Sequence, residues 1–203
     1  MILTAKVGNN GDLFPDILAI YANPGDKIFD ATYGKGVFWK NVDRSLYNVT
    51  TNDLVQDADT HDDFRNLVAI ADESLDMVVL DPPYAYSPKG TIKSSIAGCY
   101  GLNNSVDIST MAKVQELYAD GITEAKRILK VGGFLVVKTQ DIIQAGKQWW
   151  MHSWVMTQAG FACEDLFVLV QNNIPANDPK WKRQLHARKN HSFFIILRKL
   201  PSK

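Results

Sequence analysis

Cysteine is scarce in this chain of 203 residues: Cys99 and Cys163 stand apart and form no metal-ligand pair. Free thiols in a cytoplasmic protein are the expectation. His186 and His191 have neither carboxylate nor thiol company, so a phosphate contact or plain surface is expected of them, and no metal. Long apolar runs are missing too, and no basic head precedes an apolar stretch at the N-terminus. Neither a membrane span nor a signal peptide is expected, and no membrane partner. Net charge is zero, with 22 Lys and Arg against 22 Asp and Glu, but the charge is unevenly spread. Up to Asp81 there are 14 acidic and 6 basic residues, whereas Lys180 to Lys203 holds 8 basic residues and no acid. Such a tail suits phosphate contact, and equally a solvated strand-and-loop edge.

What is present is an alternation of helical and strand patterns without an internal repeat. Leu13, Ile17, Leu18 and Tyr21 predict a helix over 13–22, with Asp12 placed to cap it and Asn23-Pro24-Gly25 to end it. A short strand over 27–31 leads into a glycine turn over 32–36, a brief helix from about Val37 and a second strand over 47–52. Residues 57–63 are acidic, with a very short third strand; 64–71 read as a helix and 75–80 as the fourth strand. A long amphipathic helix is expected over 111–129, turned by Gly132-Gly133 into a fifth strand over 134–139. A helix over 148–158 carries Trp149, Trp150 and Trp154, read as core. Strands over 161–170 and 192–197 close the chain as an antiparallel pair. Two irregular segments, 86–110 and 171–190, separate these elements. The pattern implies a single α/β domain over 1–203: a mainly parallel, doubly wound sheet with helices on both faces.

The chain is organised around Met77-Val78-Val79-Leu80-Asp81-Pro82-Pro83-Tyr84. A short apolar strand stopped by two prolines delivers Asp81, a rigidly held carbonyl and Tyr84 to the carboxyl edge of the sheet. Ligands of open α/β sheets bind at that edge. The first strand, ending in Asp30, runs into Thr32-Tyr33-Gly34-Lys35-Gly36, where glycines let the backbone approach a ligand. Asp53 lies 19 residues beyond Gly34, the distance at which dinucleotide enzymes place a ribose-binding acid. Trp39 replaces the third glycine of the dinucleotide pattern, so nothing is specialised for a pyrophosphate.

Asp81-Pro82-Pro83-Tyr84 resembles the signature of methyltransferases that modify exocyclic amines of nucleobases. The resemblance implies a Rossmann-like class I methyltransferase fold, a seven-stranded sheet with an antiparallel C-terminal strand, and S-adenosylmethionine as cofactor. Asp30-Ala31-Thr32-Tyr33-Gly34-Lys35-Gly36 resembles the family's first cofactor motif, with departures at Ala31, Thr32 and Tyr33. By the same likeness Asp53 would bind the ribose, with Asn52 as competitor. Asp63 would accept the adenine amine, with Asp62 as rival, and Phe64 would pack on the adenine ring. Phe14-Pro15 resembles the segment that closes over the methionine tail. Asp81 and the Pro82 carbonyl would accept the target amine's hydrogens, Pro83 would stiffen the turn, and Tyr84 would stack on a flipped base.

The missing residues narrow the chemistry further. Cytosine C5 methylation needs a Pro-Cys nucleophile and zinc deamination a Cys-x-x-Cys set; both are absent. Asp at the first signature position favours adenine within this superfamily, so a DNA adenine N6 methyltransferase is the expectation. An RNA base methyltransferase is the runner-up, and an inactive binding module of the same fold the alternative from another class. Lys89, Lys93, Lys182, Arg183, His186, Arg188 and Lys189 are the expected nucleic-acid contacts. With no room for a target-recognition domain, specificity should be short, or supplied by a partner or a second copy.

Overall fold

A computed structural model describes residues 1–87, 106–172 and 183–202. Seven strands form one sheet in the order β1-β8-β9-β5-β4-β2-β3. They are β1 (Ala5–Val7), β2 (Lys27–Asp30), β3 (Asn48–Thr51), β4 (Leu75–Leu80), β5 (Leu129–Thr139), β8 (Phe161–Val170) and β9 (His191–Lys199). Strand β9 runs antiparallel to both neighbours, and every other pairing is parallel. A separate hairpin joins β6 (Ile142–Gln144) to β7 (Lys147–Trp149).

Successive side chains of a strand point to opposite faces, and the central strands bury both. Met77 and Val79 of β4 join Val136, Phe194 and Ile196 on one face, packed under Leu13, Phe14, Ile17 and Leu18 of α1 (Asn10–Tyr21). Val78 and Leu80 join Leu135, Val137 and Ile195 on the other, under α2 (Met111–Ile128) and α3 (Met151–Met156). Helices thus cover both faces, and the central strands carry apolar runs over 77–80, 134–137 and 193–197.

Helix α1 begins earlier than its apolar spacing suggests. Asn9 is the N-cap, and Asp12 accepts the Asn9 N–H at 2.9 Å from inside the first turn. Pro15 sits within the helix and offers no N–H to the Gly11 carbonyl one turn back. The Asn41 side-chain amide donates to that carbonyl instead, at 3.0 Å.

Several expected elements are corrected by tertiary contacts. Residues 64–71 form turns rather than a helix. Side chains of α2 take up their backbone groups: Glu124 accepts from the Leu67 N–H, while Arg127 donates to the carbonyls of Leu67 and Ile70. The expected helix over 148–158 shrinks to α3, because Lys147–Trp149 pairs with β6. The expected third strand is a single parallel bridge, Asn52 to Thr60, and β1 takes the seventh place at the opposite edge. Gly132, at φ +84°, makes its turn inside a continuous β5, where the register with β4 shifts.

Candidate functional site

A cavity of about 330 Å3 opens beyond the carboxyl ends of β2, β3, β4 and β5. The glycine turn forms one wall. Gly36 adopts φ +67°, a left-handed conformation that favours glycine, and a Cβ there would meet the Tyr33 hydroxyl at 2.5 Å, a contact that a shift of the tyrosine side chain would relieve. The Asp30 carboxylate, only 3% exposed, accepts the Thr32 N–H at 3.1 Å and the Trp39 indole N–H at 2.6 Å. Burial pushes its pKa up to about 7, against those two hydrogen bonds and reinforced by the nearby Asp81 and Asp53 carboxylates. Asp53 reaches across to accept the Gly34 N–H at 2.9 Å, and caps its own turn through Val55 and Gln56. Asn52 is committed to structure: its amide donates to Ala31 and Asp62 carbonyls, and its oxygen accepts from Thr60 and Asp62.

The signature at the end of β4 forms the facing wall. The Asp81 N–H donates to the Thr32 hydroxyl at 2.6 Å, locking the two loops together. Burial raises the Asp81 pKa, opposed by the Lys138 ammonium, which lies 3.1 and 3.3 Å from its two oxygens. The Tyr118 hydroxyl sits 2.9 Å from the Lys138 carbonyl and 3.4 Å from the Pro82 carbonyl. One hydroxyl proton serves one good acceptor, so the shorter contact takes it and Pro82 retains acceptor capacity toward the cavity.

Of the sequence-predicted residues, Asp30, Ala31, Thr32, Gly34, Asp53, Phe64, Asp81, Pro82, Pro83 and Tyr84 all line this cavity. Phe14, Pro15 and Gly36 do not: Phe14 is fully buried against Phe38 and Trp39, and Gly36 lies behind Gly34 and Lys35 in the turn. Asp63 also lies off the wall, ion-paired with Arg65 at 2.6 Å, while its neighbour Asp62 lines it. Arg183, His186 and Arg188 are exposed. The Lys189 ammonium sits 5.1 Å from the Trp150 ring, and that tryptophan is 57% exposed rather than core. Trp149 and Trp154 do pack on the core. Lys89, Lys93 and Lys182 lie outside the described residues.

Residues that the pattern did not bring forward complete the site. Asn10, Gln171 and Lys138 line the cavity, and the buried Asn10 Oδ1 has no hydrogen-bond partner among the described residues. Both irregular segments reach the wall, through Tyr86 and Val106 at the ends of one and Gln171 at the start of the other.

No family model matches the chain, and no curated protein matches it in sequence. Its structure is similar to that of TrmN from Thermus thermophilus, with a TM-score of 0.57 and 17% identity over 93% of this chain. The match takes in 48% of TrmN, so the chain spans about half the length of that protein. A proposed methyltransferase from Bacillus halodurans gives a TM-score of 0.58 at 14% identity, over 94% of this chain and 100% of its own. A proposed rRNA methylase from Clostridium thermocellum gives 0.51 at 16%, over 96% of this chain and 100% of its own. The fold is that of Rossmann-like methyltransferases. In sheets of this type ligands bind at the carboxyl ends of the strands, where the cavity lies. Among the described residues no helix is long and apolar enough to cross a membrane.

Proposed function

We propose that the protein transfers a methyl group from S-adenosylmethionine to the exocyclic amine of a nucleobase, adenine N6 in DNA. The observation that carries this reading is the meeting of the Asp81–Tyr84 turn and the Asp30–Gly36 turn in one cavity, joined by the Asp81-to-Thr32 hydrogen bond.

The residues present fit this cofactor. The unpartnered Asn10 oxygen is suited to an ammonium donor such as the methionine tail carries. Gly34 leaves room for close approach, Asp53 offers its remaining lone pairs to ribose hydroxyls, and Phe64 packs on the adenine. Asp62, on the wall where Asp63 is not, accepts the adenine amine. When bound, the cofactor supplies a methyl on a cationic sulfur, and the carbon–sulfur bond breaks with its electron pair left on sulfur.

An aromatic amine is a poor nucleophile because its lone pair is shared with the ring. The Asp81 carboxylate and the Pro82 carbonyl accept its two hydrogens and favour a pyramidal nitrogen whose lone pair faces the methyl. Tyr84 stacks on the base. The methylated nitrogen carries a positive charge until one proton leaves through Asp81 to solvent.

Arg183, His186, Arg188 and Lys189 contact the phosphates, together with Lys89, Lys93 and Lys182, and exposed Trp150 stacks on a neighbouring base. The target is short, or a specificity partner or second copy supplies recognition. Expression in a methylation-deficient bacterium, beside an Asp81→Ala control, followed by modification-sensitive sequencing tests the reading. Methylated adenine in a short motif, absent with the variant, is the expected result. Unmodified DNA with newly methylated ribosomal or transfer RNA would move the substrate to RNA.

A further inference from the structure

Lys138 occupies a place in the fold where an apolar residue is the norm. It follows Val136 on the α1-facing side of β5 and pairs across the ladder with Phe194. Its side chain is only 4% exposed. The ammonium is surrounded by the rings of Tyr84, Phe38 and Phe194, at 5.2, 5.7 and 6.0 Å. A buried cation is costly unless it is paired, and its carboxylate partner here is Asp81. That carboxylate keeps 21% of its side-chain surface exposed, on the cavity.

Asp53 shows the other way of holding a carboxylate, with three backbone N–H donors. Among the described residues Asp81 instead carries a single charged donor. The other described groups near it oppose its ionisation or are neutral: the Asp30 carboxyl on β2, with Asp53 beyond it, and the Tyr118 hydroxyl on α2, with the Tyr84 ring over the ammonium.

We propose that Lys138 is a positioning residue that keeps Asp81 ionised and aimed into the cavity, and so sets the acid limit of methyl transfer. This rests on the function proposed above. An ionised Asp81 only accepts hydrogen bonds, as a target amine requires; a protonated one presents an O–H donor to the same amine.

The test compares the full chain with Lys138→Met, of similar length without charge, and Lys138→Arg, which keeps it. Carbon-13 NMR of labelled aspartate, with Asp81 assigned through Asp81→Asn, follows the carboxyl in the free protein. In K138M its titration should move upward by about one to three pH units, the effect of removing an opposite charge at this range. K138R should stay close to wild type. The acid limb of single-turnover methyl transfer should move upward with it, costing about tenfold to a thousandfold in rate at pH below both midpoints.

An unchanged Asp81 titration in folded K138M overturns the proposal. Should K138M not fold, Lys138→Gln, which offers a neutral N–H, is read in the same way. Failure of the functional reading looks different: wild type transfers no methyl to DNA or RNA, while the carboxyl titration still reports on Lys138.

Discussion

Asp30 makes the pH dependence of stability a direct probe of the site. Its carboxyl moves from an ordinary 3.8 in the unfolded chain to about 7 in the native protein, chiefly through burial. The native state therefore holds this proton more tightly than the unfolded state does. The Asp30 contribution to stability is full below about pH 4 and is lost as the pH rises through about 7. Linkage puts the loss at about 3 kcal/mol between about pH 5 and about pH 8. Asp30→Asn keeps the shape and removes the titration. Its amide turns an N–H toward Thr32 or Trp39, a cost that does not change with pH. Urea unfolding of both proteins across this range should give a wild-type stability that falls toward pH 8 by about 3 kcal/mol more than the variant's. Asp81 also faces Asp30, and its raised pKa contributes with the same sign, so relief of that repulsion adds to the difference. Carboxyls held low by hydrogen bonds, such as Asp59 and Glu124, titrate below the window. Parallel curves for the two proteins would refute the reasoning.

Two substitutions away from the charged groups test the cavity wall and its approach. A Cβ on Gly121 of α2 would lie 2.5 and 2.8 Å from atoms of the Phe64 ring, so Gly121→Ala should push that ring into the cavity. S-adenosylhomocysteine affinity by calorimetry should fall about tenfold, while stability changes by less than about 2 kcal/mol because gained helix propensity offsets the crowding. Trp150→Ala should weaken binding of a single-stranded oligonucleotide about tenfold, as loss of one stacked base would, and leave S-adenosylhomocysteine affinity alone.

The layered architecture could be read from the chain because both faces of its central strands are buried. That makes 77–80, 134–137 and 193–197 apolar without interruption, and the proline pair after Leu80 sets where β4 ends. Residues 64–71 misled because Phe64, Leu67 and Ile70 fall at helical spacing. Their spacing instead reflects packing against α2, and their backbone groups are met by Glu124 and Arg127, 57 and 60 residues distant from Leu67. Strand β1 is three residues at an edge, with Val7 63% exposed, too short and too exposed to show a pattern. Trp150 departed from expectation for a related reason. A hairpin over 142–149 turns Trp149 inward and leaves Trp150 at the surface, and no helical period describes that.

The candidate site was legible wherever its residues are neighbours in sequence, and hidden where the fold supplies the partner. Asp81 through Tyr84 and Asp30 through Gly36 are contiguous strings, each confined to one turn. Lys138 is not part of any string: within Phe134–Thr139 it reads as the polar residue that ends a strand. Yet strand alternation places it on the same face as Val136, and β5 lies beside β4 with Val137 opposite Leu80. A lysine one residue farther along a buried strand, beside a strand that ends in Asp81, has a carboxylate within reach and little water. The pairing follows from the register between β4 and β5, which depends on the bulge near Gly132 rather than on any local pattern. A shift of one residue in that register would turn Lys138 to the α2 face and remove Asp81's charged donor. The turn far from the cavity therefore positions the charge inside it.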